Sequence, residues 1–286
     1  MDDPFEALLK PSDEKSVHSA AVRLTEISGR YRIGQPTRPS MQHDNGHLDR
    51  FSARPPTAED KVELAKWVTM LEGAEALCNA QTGKLIALCN GEDLSDANAA
   101  YRHFLFGNGE DRVLNYERFI QGDPVGSQLI RNLLADFQYH TEIIGKHRTK
   151  FSVTSTLYAV GDGGIADYPK TSNWQKTLGA HFFWVSANLV ISANANGRLR
   201  YQADLTMHVE DRYNFNPGSK DVATGIPDSA NGRFELSGLG KQYMHYATLV
   251  RHVTWESGSS LGTKKVSGKT DRQRKPSDNR RLRNRI

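Results

Sequence analysis

The chain has no apolar run approaching the roughly 18 residues that a membrane-spanning helix requires, and its mean hydropathy is -0.60. A transmembrane helix is therefore excluded at the level of sequence. Cysteine is equally scarce. Cys78 and Cys89 are the only two, and two thiolates cannot complete a tetrahedral metal site without further ligands. Both lie among apolar neighbours (EALCNA and IALCNG), which leaves buried thiols and a single disulfide both open. The N-terminal MDDPFEALLK is acidic where a secretory signal is basic, and no apolar core follows it. Synthesis in the cytoplasm without a cleaved leader is expected. Internal repeats are lacking, and the ten histidines have no cysteine pairs beside them to suggest a zinc finger.

What is present is a full-sized, well-mixed composition: 286 residues, 37% hydrophobic and 24% charged, enough for one large domain or two small ones. The net charge of +4 is unevenly placed. Residues 264–286 hold ten Lys/Arg against two acids, a net +8, so residues 1–263 carry 27 basic and 31 acidic residues, a net −4. The basicity belongs to an appendage, and a nucleic-acid-binding body is disfavoured.

Composition and periodicity divide the chain into a poorly ordered N-terminal segment and linker (1–56), a helical domain (57–148), an antiparallel β domain (149–263) and a basic disordered tail (264–286). Within the first, a helix is expected over Ser12–Ile27, and Pro36, Pro39, Pro55 and Pro56 mark Arg32–Pro56 as a linker. Thr57 and Asp60 form a capping-box start for a helix carrying Val62, Ala65, Val68, Leu71, Ala74 and Leu77. A second helix is expected over Asp96–Phe106. A third begins with Asp123 as N-cap and Pro124 at its first position, and ends at Gly145. From Phe151 the period becomes two. Phe183, Val185, Ala187, Leu189 and Ile191 alternate with polar neighbours, then Asn196-Gly197 turns the chain into a second alternating run from Leu199 to Val209. Further strands are expected over Phe151–Val160, Arg233–Leu236 and Ala247–Trp255. The fold class is α+β: a helical N-terminal region followed by a C-terminal antiparallel sheet, barrel-like because its faces are so cleanly sorted.

The second run leads into the densest polar stretch of the chain, Glu210-Asp211-Arg212-Tyr213-Asn214-Phe215-Asn216-Pro217-Gly218, followed by Lys220-Asp221 and Pro227-Asp228. A strand running into an extended loop commonly carries functional groups. Asp211, Asp221 and Asp228 offer hard oxygen ligands for Mg²⁺, or Asp211 a base; Tyr213 and Asn216 offer hydrogen bonds to a phosphate. Turn chemistry alone also accounts for such residues.

The run Asp211-x-Tyr213-Asn214-x-Asn216 resembles the signature of the colicin M family of bacteriocins, Asp-x-Tyr-Asp-x-Asn with a His-Arg pair a few residues on, and the preceding Asn196-Gly197 hairpin is similar too. The resemblance spans about residues 180–235. It implies a Mg²⁺-dependent phosphodiesterase that splits the lipid-linked peptidoglycan precursor between polyprenol and pyrophosphate, with Asp211 essential and Tyr213 and Asn216 lining the phosphate site. Two positions depart. Asn214 stands where the family has a second Asp, and Lys220-Asp221 stand where the His-Arg pair would fall, so His208, Lys220 or Arg233 would have to substitute. Phe215 and Ile226 would form part of a lipid groove. The setting implied is an antibacterial toxin acting in the periplasm of a target bacterium, delivered by a route such as type VI secretion, with an immunity protein as partner.

Two other classes stay open. One is a non-enzymatic membrane-disturbing or ligand-binding β module. The other is a nucleic-acid-binding protein using residues 264–286, a stretch that also suits anionic lipid headgroups. Glu117 and Glu142 suggest a muramidase acid, but neither has a convincing partner carboxylate. Gly161–Gly164 reads as a turn.

Overall fold

The computed structural model describes residues 29–79, 93–259 and 265–269. The helix expected over Ser12–Ile27, Cys89 and most of the basic tail lie outside the described residues. In chain order the elements are β1 (Tyr31–Ile33), a 3-10 turn (Gly46–Asp49), α1 (Ala58–Asn79), α2 (Ser95–Phe106), β2 (Arg112–Val113), α3 (Tyr116–Gly122), α4 (Pro124–Gly145), β3 (Lys150–Ser155), β4 (Tyr158–Val160), α5 (Ser172–Thr177), β5 (His181–Ala193), β6 (Leu199–Tyr213), α6 (Ser229–Ser237), β7 (Tyr243–Glu256) and β8 (Lys265–Lys269).

The two long helices, α1 and α4, begin where their caps dictate. Thr57 and Asp60 bond reciprocally, Asp60 N–H to Thr57 Oγ1 (3.1 Å) and Thr57 N–H to Asp60 Oδ2 (2.9 Å). Asp123 accepts from Val125 N–H (2.9 Å) ahead of Pro124. The β5–β6 hairpin closes on Gly197 (φ 74°), with Asn194 Oδ1 accepting from the backbone of Asn196 and Arg198.

One mixed sheet runs β1-β3-β5-β6-β7-β2, with β4 also on β5 and β8 also on β7; β2 pairs parallel and the rest antiparallel. The sheet is open: no pairing joins β1 to β2 among the described residues. The barrel expectation is thereby corrected. Sorted faces arise because one face packs against α4, where Leu129, Leu133, Phe137 and Ile144 meet Val185, Leu189, Tyr201, Leu205 and Met207. A covering helix hides an apolar face as well as closure does.

A second, smaller cluster joins Leu71 of α1, Phe104 of α2, Phe234 of α6 and the ends of β6 and β7 through Tyr213 and Tyr243. Arg233–Leu236, expected as a strand, lies inside α6. Its apolar alternation is only four residues long, and Gly238 (φ 69°) ends a helical turn there instead. The segment expected as a linker is also corrected. Arg32 and Ile33 belong to edge strand β1, paired with Thr154 and Val153, and Arg38 clamps Glu210 through two parallel bonds of 2.8 Å. In the tail, Lys265–Lys269 form β8 along β7, where disorder was expected.

Candidate functional site

The β6 strand places its odd-numbered residues on the face covered by α4 and its even-numbered residues on the other. Where β6 leaves the sheet, a cleft of about 830 Å³ opens between the two apolar clusters. Its lining includes Asp211, Tyr213, Asn214, Asn216, Lys220, Asp221 and Asp228, so most of the motif faces a single space.

Within the cleft the residues differ sharply in what holds them. Burial pushes the Asp211 carboxyl well above the usual carboxylate range; the backbone N–H of Arg212 opposes the shift, and the Asp44 charge adds to it. Asp228 is also pushed up, first by burial; Asn216 N–H (2.9 Å) and His47 oppose this, and Asp221 reinforces it. Asp221 goes the other way. Burial raises it, but the Lys176 ammonium and the Thr224 hydroxyl and N–H together hold it below its ordinary value. Tyr168 lines the same space. Burial, then the charges of Asp221, Asp228 and Asp211, raise its phenol and keep it a neutral donor.

Tyr213 is a wall. Its ring stacks on Tyr243 (centroids 5.2 Å apart, 14° between planes) within the second cluster, and burial drives its hydroxyl far from ionisation. Asn214 is a tether rather than a base: its side-chain amide donates to Asp44 Oδ1 (2.7 Å) and to the Asp44 carbonyl (3.0 Å). Asn216 holds Asp228 through its backbone and turns into the cleft.

Two proposed substitutes for the family histidine lie elsewhere. His208 is even-numbered, so it falls on the far sheet face, stacked on Trp184 at 3.8 Å and bonded to Ser186 Oγ (3.0 Å). Arg233 bonds Glu59 (3.0 Å) and Asp60 (2.9 Å) at the start of α1 and is absent from the cleft lining. Lys220 does line the cleft. Of the muramidase candidates, Glu117 is taken by Arg251 (2.9 and 2.8 Å), and Glu142 by Trp255 and Gln138.

Residues that sequence reasoning missed complete the site. Lys176 comes from α5, and Asp44 and His43 from the segment read as linker. His43-x-x-x-His47 is a spacing that could have drawn attention, but the two rings diverge. His43 Nε2 lies 3.8 Å from Glu210, whereas His47 Nδ1 bonds the Phe215 carbonyl (2.7 Å) and lies 3.8 Å from Glu235. Glu235 has a fully buried side chain that accepts from the backbone of Phe215 (2.8 Å) and His47 (3.3 Å), fastening the motif loop to α6. The approach is close enough that a Cβ on Gly46 (φ 55°) would meet the Phe215 carbonyl oxygen at 2.4 Å. The cleft also carries exposed apolar side chains. Phe182, Val222 and Ile226 line it and are 36%, 64% and 37% exposed.

Among the described residues, no three His, Cys, Asp or Glu side chains converge to hold a metal, so Asp211, Asp221 and Asp228 do not form a ready-made ligand cage. Also among the described residues, no helix is long and apolar enough to cross a membrane. Comparison with known proteins gives no matching family model and no matching curated relative.

Proposed function

We propose that the cleft is the active site of an antibacterial toxin that hydrolyses the polyprenyl-pyrophosphate linkage of a lipid-linked cell-wall precursor, as the resemblance to the colicin M family implies. One observation carries the reading: carboxyls, lysines and exposed apolar side chains share one cleft. Asp211, Asp228, Lys176 and Lys220 lie beside Phe182, Val222 and Ile226. A substrate with an anionic head and a hydrocarbon tail satisfies both halves, whereas a soluble phosphate would leave the apolar rim wet.

In this reading Asp211, which favours its proton, is the general acid. Water attacks phosphorus, the bond from phosphorus to the polyprenol oxygen breaks, and the Asp211 proton passes to that oxygen. Asp228 takes the proton that the attacking water loses. Tyr168 and the lysines steady the phosphate oxygens. Mg²⁺, when bound, would neutralise the charge of the pyrophosphate and would be held mainly by the substrate's own phosphate oxygens, which leaves Asp211 and Asp228 to the proton transfers. Delivery to a target periplasm, an immunity partner and headgroup attraction through residues 264–286 are part of the same proposal.

The test is an assay of wild type and Asp211→Ala on polyprenyl-pyrophosphoryl substrate, with Mg²⁺ and with EDTA. Polyprenol released only by wild type with Mg²⁺ supports the reading; no product from wild type sinks it. A second reading, a membrane-disturbing module, draws on Val222 and Ile226 standing exposed at the cleft rim. Dye leakage from protein-free liposomes at the same dose would favour it.

A further inference from the structure

We propose that Lys176 is the phosphate-binding cation of the cleft, and that the Asp221 carboxylate occupies the phosphate's place on it in the free protein. The inference rests on the phosphoester reading and deepens it. It turns Asp221 from an expected metal ligand into an internal stand-in for the substrate's anion.

The two oxygens of Asp221 have different work. Oδ1 stays within its own turn, accepting from Thr224 N–H (2.7 Å) and Thr224 Oγ1 (2.5 Å). Oδ2 reaches across the cleft to the Lys176 ammonium at the last turn of α5. The turn does not depend on that reach. Asp221 N–H bonds the Ile226 carbonyl (2.9 Å), Asp228 N–H bonds the Ser219 carbonyl (2.9 Å), and Lys220 bridges Pro227. Residues 219–228 thus form a small hairpin with its own bonds, preceded by Gly218 at φ 88° with no atom within 4 Å of its Cβ position. It can shift as a unit if Lys176 is offered another anion.

The chemistry of the contact favours such an exchange. An ammonium is a compact point charge that takes a carboxylate or a phosphate oxygen in the same way. Lys176 and Asp221 are 29% and 23% exposed, so an entering ligand can reach both. The departure of Asp221 also removes one negative charge from a space that Asp211 and Asp228 already line. Val222 and Ile226 ride on the same hairpin, so the exchange that seats the phosphate also moves the apolar rim against the tail.

The experiment measures binding of inorganic pyrophosphate and of farnesyl pyrophosphate, both in EDTA, to wild type, Asp221→Asn and Lys176→Met, with amide hydrogen exchange over residues 219–228. Asn keeps the Thr224 bonds and loses the charge. Asp221→Asn is expected to tighten pyrophosphate by about five- to tenfold, Lys176→Met to abolish binding, and pyrophosphate to speed exchange of the 219–228 amides in wild type. Stronger binding of the farnesyl ester than of pyrophosphate would identify the lipid ester as the source of the phosphate, and the reverse the free ion. Unchanged or weaker binding by Asp221→Asn, or binding retained by Lys176→Met, overturns the proposal. The hydrolysis assay separates the two ideas. Full hydrolysis by Lys176→Met sinks the Lys176 assignment alone. No hydrolysis by wild type, with pyrophosphate binding still tightened by Asp221→Asn, sinks the enzyme alone.

Discussion

Asn214 donates its side-chain amide to both the carboxylate and the backbone carbonyl of Asp44, 170 residues away, at 2.7 and 3.0 Å. The position where the resembled family has an acid is thus occupied by a donor that the neighbouring Asp44 requires. Asn214→Asp would set two carboxylates against each other. The expected outcome is a loss of about 1–3 kcal/mol in stability, read by urea denaturation, together with lower rather than restored hydrolysis.

Asp211→Asn keeps a neutral group of the same shape where burial already favours the neutral carboxyl. Stability is expected to hold or rise slightly, while hydrolysis of the lipid-linked substrate falls about 10²- to 10⁴-fold, the usual contribution of a positioned acid or base. Denaturation and product release measured on one preparation check both halves.

Glu235 is pushed up to about 7, first by burial, against the Phe215 and His47 N–H groups and Gln242, with Asp228 adding to the rise. Its unfolded value is the ordinary 4.5, so the folded protein holds a proton that the unfolded chain has lost. Stability from this group is full below about pH 4.5 and declines as pH rises to about 7, by on the order of 3 kcal/mol. Glu235→Gln is expected to flatten the pH dependence of Tm across that window. An unchanged slope would show that another group controls it.

His181 gives the opposite slope. Burial pulls its imidazole down to about 4 from 6.5, against the Gly179 carbonyl, and Tyr116 bonds its Nε2 at 2.7 Å. The unfolded chain gains a proton first as pH falls, so this contribution is present above about 6.5 and is lost toward 4. His181→Gln is expected to lower stability at neutral pH and to weaken the acid-induced part of the loss, as followed by circular dichroism.

Val222→Asp and Ile226→Asp would place charges on the exposed cleft rim. The expected result is a KM raised about tenfold or more for a long polyprenyl substrate, with little change for a short-chain analogue. Equal effects on both chain lengths would remove the rim from lipid recognition.

Much of the frame is legible in the sequence because it is local. The Thr57–Asp60 box, the Asp123-Pro124 start and the Asn-Gly hairpin are each decided within a few residues. The barrel expectation and the misassigned Arg233–Leu236 fail for a shared reason: alternation reports that a face is covered, not by what, and four residues cannot separate period two from a helix. At the site, Asp211 and its neighbours could be read because they are contiguous. Lys176 and Asp44 carry no motif, and only the tertiary fold brings them to the cleft. His208 shows the limit of proximity in sequence, since one step of pleat moves a residue three positions from Asp211 to the other side of the sheet.

The clamp between Arg38 and Glu210 spans 172 residues of chain. A tie of that reach cannot form until β6 exists, and closing so long a loop is slow because its entropy must be lost before the contact repays it. The β5–β6–β7 meander, built from neighbours in sequence, is expected to assemble first and the 38–47 segment to dock last. During synthesis the cleft would then stay incomplete although the earliest of these residues were made long before, so the growing chain is expected to pass through a stage in which the sheet is folded but His43 and Asp44 have not yet closed their side of the cleft.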